Sequence, residues 1–308
     1  MTLEQLRIFV AVAEREHLTR AAQALGRTQS AVSAAVRALE REYATALFHR
    51  IGRGVVLTEA GRLFLAEARG VLGRAEAAER ALAELGGLRR GRLSLQASQT
   101  IASYWLPRRL VRFRNSFPQV TLAVGIGNTA EVARAVADGA AELGLVEGAI
   151  DDPRLESETV AHDRLVLVVA PGHPWAGGGP LGAERLCESG WVLREPGSGT
   201  RSVFETALKM HGMTLGDLSP VLELPSNEAV RTAVEEGAGA TAISERVVAA
   251  ALDTGSLVRA GFELPTRDYT VLVHREHYPS RAAEALRAIL RGDGEARAEA
   301  VRAKAGAS

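Results

Sequence analysis

The chain changes its hydrophobic period once, near residue 90, and that change limits it to two unlike parts. Before the run Gly86-Gly87-Leu88-Arg89-Arg90-Gly91, apolar residues recur every three or four positions, as in helices that bury one face. Beyond it, short apolar runs alternate with helical stretches, the pattern of an α/β sheet domain. The length of 308 residues suits two or three domains at roughly 150 residues each.

In the front part Leu3, Leu6, Phe9, Val10, Val12 and Ala13 predict an amphipathic helix ending near His17. Thr19 is a suitable N-cap for a second helix through Leu25, with Gly26 as its stop. Thr28 caps a third, in which Val32, Val36 and Leu39 share a face. Two β-prone runs around Gly52-Arg53-Gly54 predict a hairpin. Glu59 to about Leu85 reads as one proline-free helix. Its apolar stripe (Phe64, Leu65, Ala68, Val71, Leu72, Ala75) is too narrow for a globular core, so the expected partner is a second helix and the expected assembly a dimer.

Ala22, Gly26 and Val32 supply the small crossing residue, the turn glycine and the branched packing residue of a helix-turn-helix. Its second helix enters the major groove. Gln29, Ser30, Ser33 and Arg37 stand opposite Val32 and Val36, and side chains of these types bond base edges or phosphates. Arg50 and Arg53 on the hairpin are placed to reach phosphate or the minor groove. Thr28 and Thr58 complete the candidate DNA set. Net charge is zero, but residues 1–92 hold fifteen arginines against ten glutamates, a surplus of five that the remainder offsets. A basic front end on an acidic remainder suits a DNA module tied to a part that should not bind DNA.

The segment from Leu3-Glu4-Gln5-Leu6-Arg7-Ile8-Phe9 through Ala21-Ala22-Gln23-Ala24-Leu25-Gly26-Arg27-Thr28-Gln29-Ser30-Ala31-Val32-Ser33 to Leu57-Thr58-Glu59-Ala60-Gly61 resembles the winged helix-turn-helix of LysR-type transcriptional regulators. Ala31 departs from the proline many members carry, and alanine is the better helix former. The resemblance implies an α/β multidomain protein: a winged helix-turn-helix at 1–58, a linker helix and hinge at 59–91, and a periplasmic-binding-protein-like effector domain at 92–308. Within that domain, subdomain I comprises 92–164 and 264–295 and subdomain II comprises 165–263. It also implies double-stranded operator DNA with dyad symmetry, RNA polymerase and a homo-oligomer, a dimer of dimers, as partners.

In the second part the candidate strands are Arg92–Ala97, Val120–Ile126, Glu142–Val146, Leu165–Ala170, Trp191–Leu193, Val221–Leu224, Ala240–Ile243 and Tyr269–His274. Helical stretches at Tyr104–Phe117, Thr129–Asp138, Thr200–Met210 and Ser226–Glu236 separate several of them, which predicts a mostly parallel sheet covered on both faces. The tail after Arg291 is expected to fray. Such sheets bind ligands at the carboxyl ends of strands, where helix N-termini offer free N–H groups. Ser98, Gln99, Thr100, Ser103, Asn128, Glu147, Ser198, Gly199 and Thr200 are therefore the candidate effector residues. The loop Arg194-Glu195-Pro196-Gly197-Ser198-Gly199-Thr200-Arg201 is suited to wrap an anion, and lacks the Gly-Lys-Ser/Thr ending of a Walker loop. It resembles members that regulate sulfur assimilation or carbon fixation, which points to a sulfur oxyanion or a small carboxylate. No cofactor beyond such an effector is expected.

Rival classes fare worse. Cys187 is the single cysteine, which excludes an internal disulfide. The seven histidines are scattered, and His274 and His277 have no matched carboxylate motif, so no metal site is expected. Ser198 lacks the Gly-x-Ser-x-Gly spacing of a hydrolase elbow, and no enzyme is expected. A solute-binding protein is disfavoured by the N-terminal helices and by Glu4, Gln5 and Arg7, which interrupt any signal-peptide pattern. No apolar run approaches the roughly 20 residues needed to cross a bilayer, so a cytoplasmic protein without membrane contact is expected.

Overall fold

A computed structural model of the chain describes residues 1–52, 54–85, 91–148, 150–177 and 179–292. Two compact units emerge, one built mainly from 1–88 and one from the α/β remainder.

The first unit contains α1 (Leu3–Arg15), α2 (Leu18–Ala24), α3 (Gln29–Glu42), β1 (Phe48–Ile51), β2 (Gly54–Leu57) and α4 (Glu59–Leu85). Thr2 opens α1 with a capping box: its hydroxyl accepts from Gln5 N at 3.2 Å while Gln5 Oε1 accepts from Thr2 N at 2.8 Å. Ile8, Val12, Ala21, Ala22, Val32 and Val36 form the crossing core of the first three helices, with Val55 of the hairpin added. Ala22 is 2% exposed and Gly26 has φ +62°, as the crossing and the turn require. The N-cap of α2 is His17, not Thr19: His17 Nδ1 accepts from Thr19 N at 3.2 Å. Thr28 caps α3 as expected, accepting from Ala31 N.

α4 spans the expected residues, but its base is not a free stripe. Phe64, Leu65 and Leu72 pack against Leu6, Phe9, Leu39 and the buried Ala68, with Phe9 and Phe64 ring centroids 4.8 Å apart. Gly61 makes this possible, since a Cβ there would lie 2.1 Å from the Leu47 carbonyl oxygen. The first turns of α4 thus belong to the head's own core, because Phe9 and Leu6 leave an apolar surface too wide for α1–α3 to cover.

The second unit contains β3 (Gly91–Ser98), a π-helical turn Ile101–Trp105 leading into α5 (Leu106–Ser116), β4 (Val120–Gly127), α6 (Thr129–Ala137), β5 (Leu143–Glu147) and β6 (Leu155–Val169). Then follow β7 (Gly190–Arg194), α7 (Gly199–Met210), β8 (Ser219–Leu224), α8 (Asn227–Glu235), β9 (Thr241–Ser244), α9 (Glu245–Thr254), β10 (Val258–Arg259), β11 (Thr266–His274) and a last helix, α10, at 281–292. β3 pairs in parallel with β4 and β5, and β7 with β8. β11 lies antiparallel between β5 and β6. The expected mostly parallel sheet is therefore mixed, because two strands that cross between lobes in opposite directions must pair antiparallel.

β6 is the pivot of this arrangement. Leu155–Arg164 pairs with β11, and from Leu165 onward the same strand pairs with β9 and β10. A bridge from Trp191 to Ala240 joins β7 to β9. One strand thus serves two lobes, each with its own core. The first packs Leu93, Leu95, Leu145, Trp105, Phe113 and Leu286. The second is layered, with Trp175, Trp191 and Phe204 on one face and Val166, Val230 and Val247 on the other.

Candidate functional site

On α3, Gln29, Ser30 and Arg37 are exposed, with Thr28 exposed at its start and its hydroxyl 3.1 Å from that of Ser30. Ser33 is not part of this surface: it is 6% exposed, three residues from Val36 on the same buried face. Thr58 is also withdrawn, its hydroxyl donating to Ala46 O at 2.8 Å and accepting from Gly61 N at 2.9 Å. Its work is to start α4. Arg50 is exposed on β1, while Arg53 lies outside the described residues. The backbone pins the hairpin to the helices, as Val55 N donates to Glu16 O at 2.9 Å. A polar, partly cationic helix face beside a basic hairpin can follow a duplex groove and its phosphates.

In the α/β unit, Ser98, Thr100, Glu147, Ser198, Gly199 and Thr200 are all buried where the two lobes meet. The group that gathers three of them, Thr100, Glu147 and Thr200, is one the sequence did not single out. Arg267 on β11 is 3% exposed. Its Nε and one terminal nitrogen donate to Asp163 Oδ2 at 2.9 and 2.8 Å, and the other terminal nitrogen donates to Thr200 Oγ1 at 2.9 Å. Thr100 Oγ1 accepts at 3.5 Å, and Glu147 Oε1 stands 3.7 Å away. Burial opposes the guanidinium charge, but the carboxylates of Glu147 and Asp163 prevail and hold its pKa above the usual arginine value.

Beside it runs a second chain of bonds. Asn227, fully buried, donates to Thr100 Oγ1 at 3.0 Å and accepts from Arg194 at 2.5 Å, while its backbone N–H donates to Gln99 Oε1 at 2.7 Å. Gln99 and Thr100 from one lobe thus grip the start of α8 in the other. The lobes also meet where Ala130 N donates to Gly197 O at 3.1 Å. Gly199 sits so close that a Cβ would lie 2.6 Å from Thr129 Oγ1 and 2.8 Å from Glu147 O.

Two candidates fall outside this network. Ser103 is exposed on the π-helical turn, because that turn, and not Ser103, opens the way into α5. Asn128 is spent locally: its Oδ1 accepts from Glu131 N at 3.0 Å while Glu131 Oε2 accepts from Asn128 N at 2.9 Å. Thr129, the next residue, faces the lobe boundary instead and donates to Glu147 Oε2 at 3.3 Å. Two features suit a guest anion. Ser98 Oγ is buried without a hydrogen-bond partner among the described residues. The N-terminus of α7 carries no side-chain cap, leaving N–H groups free. Among the described residues no group of three or more His, Cys, Asp and Glu could hold a metal ion, and no helix is long and apolar enough to cross a membrane.

A helix-turn-helix head, a long connecting helix and a two-lobed α/β domain with a buried polar junction define a ligand-responsive transcription regulator. Residues 3–62 match the family model for the bacterial regulatory helix-turn-helix protein, lysR family, and 86–295 match the LysR substrate binding domain. The chain belongs to the LysR family of transcriptional regulators, and its α/β unit has the periplasmic-binding-protein-like fold of two subdomains. It is 35% identical to the uncharacterized HTH-type transcriptional regulator YeiE of Escherichia coli (strain K12), over 92% of this chain and 94% of that one. The solved structure of full-length CbnR complexed with its target DNA superposes with a TM-score of 0.64 at 24% identity, covering 94% of this chain and 100% of that chain. The regulatory domain of Synechocystis PCC6803 CcmR in complex with 2-PG gives 0.61 at 23% identity, covering 67% of this chain and 98% of that chain.

Proposed function

We propose that this chain is a cytoplasmic, non-enzymatic regulator that reads a dyad-symmetric operator through Gln29, Ser30, Arg37 and Arg50 and responds to a small anion held between its subdomains. A sulfur oxyanion or a small carboxylate is the effector class. The single observation that carries the anionic reading is the buried Arg267, set among Thr100 and Thr200 beside the uncapped start of α7. The 2-PG found in the CcmR domain supports it. The head corresponds to 1–58, the linker to 59–91, subdomain I to 92–164 with 264–295, and subdomain II to 165–263.

Effector binding shifts the balance between arrangements of the two subdomains, and the linker helices carry that change to the DNA-binding heads of a dimer of dimers. DNA bending and contact with RNA polymerase then change. A ligand does this only as far as it binds one arrangement better than the other. Footprinting of the protein on the DNA upstream of its own gene, with and without sulfate, thiosulfate and glycolate, tests the reading. A footprint that contracts or shifts with one of these anions is expected; an unchanged one at saturation with all three overturns it. Gln29→Ala is expected to weaken specific binding by roughly 1–3 kcal/mol. An equal loss on random DNA in a gel shift would show that Gln29 meets only the backbone.

A further inference from the structure

Beside the buried junction lies a cavity of about 860 Å³, and Glu147, Ser198, Gly199 and Arg267 are among the residues that belong to both. The rest of its wall is rich in hydroxyls, among them Ser157, Thr159, Ser202 and Thr206. The cavity is the open space; the junction is filled by the chain's own side chains. Glu147 stands at the boundary, lining the cavity with its carboxylate 3.7 Å from the guanidinium.

The two carboxylates that face Arg267 are held very differently. Asp163 takes two hydrogen bonds from Arg267, accepts from Ser244 Oγ at 3.0 Å and lies 3.4 Å from the Arg246 guanidinium. It is a fixed counter-ion. Glu147 is too far from Arg267 for a hydrogen bond, and among the described residues Thr129 alone donates to its carboxylate, at 3.3 Å. Arg246 and Arg267 against Asp163 and Glu147 make the cluster neutral. An anion entering beside Arg267 would add an unbalanced negative charge in a place with little water to screen it.

We propose that Glu147 is an internal competitor for the effector: an anion coming from the cavity displaces the Glu147 carboxylate from Arg267 and takes its place. This rests on the anionic reading above. Moving Glu147 toward the cavity's hydroxyls leaves the Arg267–Asp163–Arg246 cluster with one net positive charge, which the anion neutralises. The same displacement breaks the Thr129–Glu147 bond, which ties the end of β5 to the start of α6. Glu147 therefore sets the affinity threshold: ligands without charge cannot compete it away.

Isothermal titration of the full-length protein at constant ionic strength, with sulfate, thiosulfate, acetate and glycolate added separately, tests this in the native chain and in Glu147→Gln. The neutral isostere is expected to bind the anion that the native chain prefers about tenfold more tightly or better. Glu147→Ala, with folding checked by its melting temperature, provides the same reading if the amide variant fails to fold. Equal or weaker anion binding by the variants, with the native chain still binding, overturns the competitor role alone. No binding of any of these anions by native chain or variants overturns both this role and the anionic effector.

Discussion

Arg267 is a charge that the fold keeps almost entirely from water, with a side chain 1% exposed and Asp163 equally buried. Such a pair is a weak source of net stability, but removing one member strands the other. Arg267→Met is expected to destabilise the protein by about 3–5 kcal/mol, because Glu147 loses its cation and Asp163 keeps only Arg246, at 3.4 Å. Pairing it with Asp163→Asn should recover part of that loss in urea unfolding; a double variant no better than the single one would mean that lost packing is the cause. The sequence reading found the hydroxyls and Glu147 because loop residues at strand ends advertise themselves by position. Arg267, Asp163 and Asn227 gave no such signal. Each is one polar residue near an ordinary strand or helix start, and a lone charge in an alternating strand looks the same facing water or facing a core.

At the level of elements, order and type were largely legible from the change of period, and the misses have a common cause. The first half of β6, Leu-Glu-Ser-Glu-Thr-Val-Ala-His-Asp-Arg, is too polar to read as a strand. It is one all the same, because β11 covers its edge and α10 is bound beside it. Arg287 and Arg291 of α10 both donate to Glu158, Arg287 at 2.8 Å. The hydrogen bond from Arg291 above all, with help from Arg287, holds the Glu158 carboxyl below its ordinary value of 4.5 against the opposing effect of burial. A depressed carboxyl stabilises the fold above that value and ceases to do so as pH falls through its lowered one. Glu158→Gln should therefore lower the melting temperature near pH 7, and the gap to the native protein should narrow as pH falls below 4.5. A gap independent of pH would show that the ion pairs do not anchor α10.

On the scale of the whole α/β unit, closure depends on the absence of a side chain at Gly199. A valine there would push against Thr129 and the Glu147 backbone, the atoms a Cβ would meet at 2.6 and 2.8 Å. Gly199→Val is expected to part the subdomains, so that the Ala130 amide, bonded to Gly197 O, exchanges its hydrogen faster while amides within β3 and β7 keep their protection. Unaltered exchange at Ala130 would mean that the boundary yields without opening. The position of β11 between β5 and β6 has a further consequence, for how the chain is made. A ribosome delivers β3, β4 and β5 early, yet the strand that joins them to β6 emerges more than a hundred residues later. Until then the first subdomain has a gap in its sheet, with unpaired backbone edges on β5 and on the first half of β6. The second subdomain, nested within the first along the chain, is complete sooner and is positioned to fold before the one that begins ahead of it.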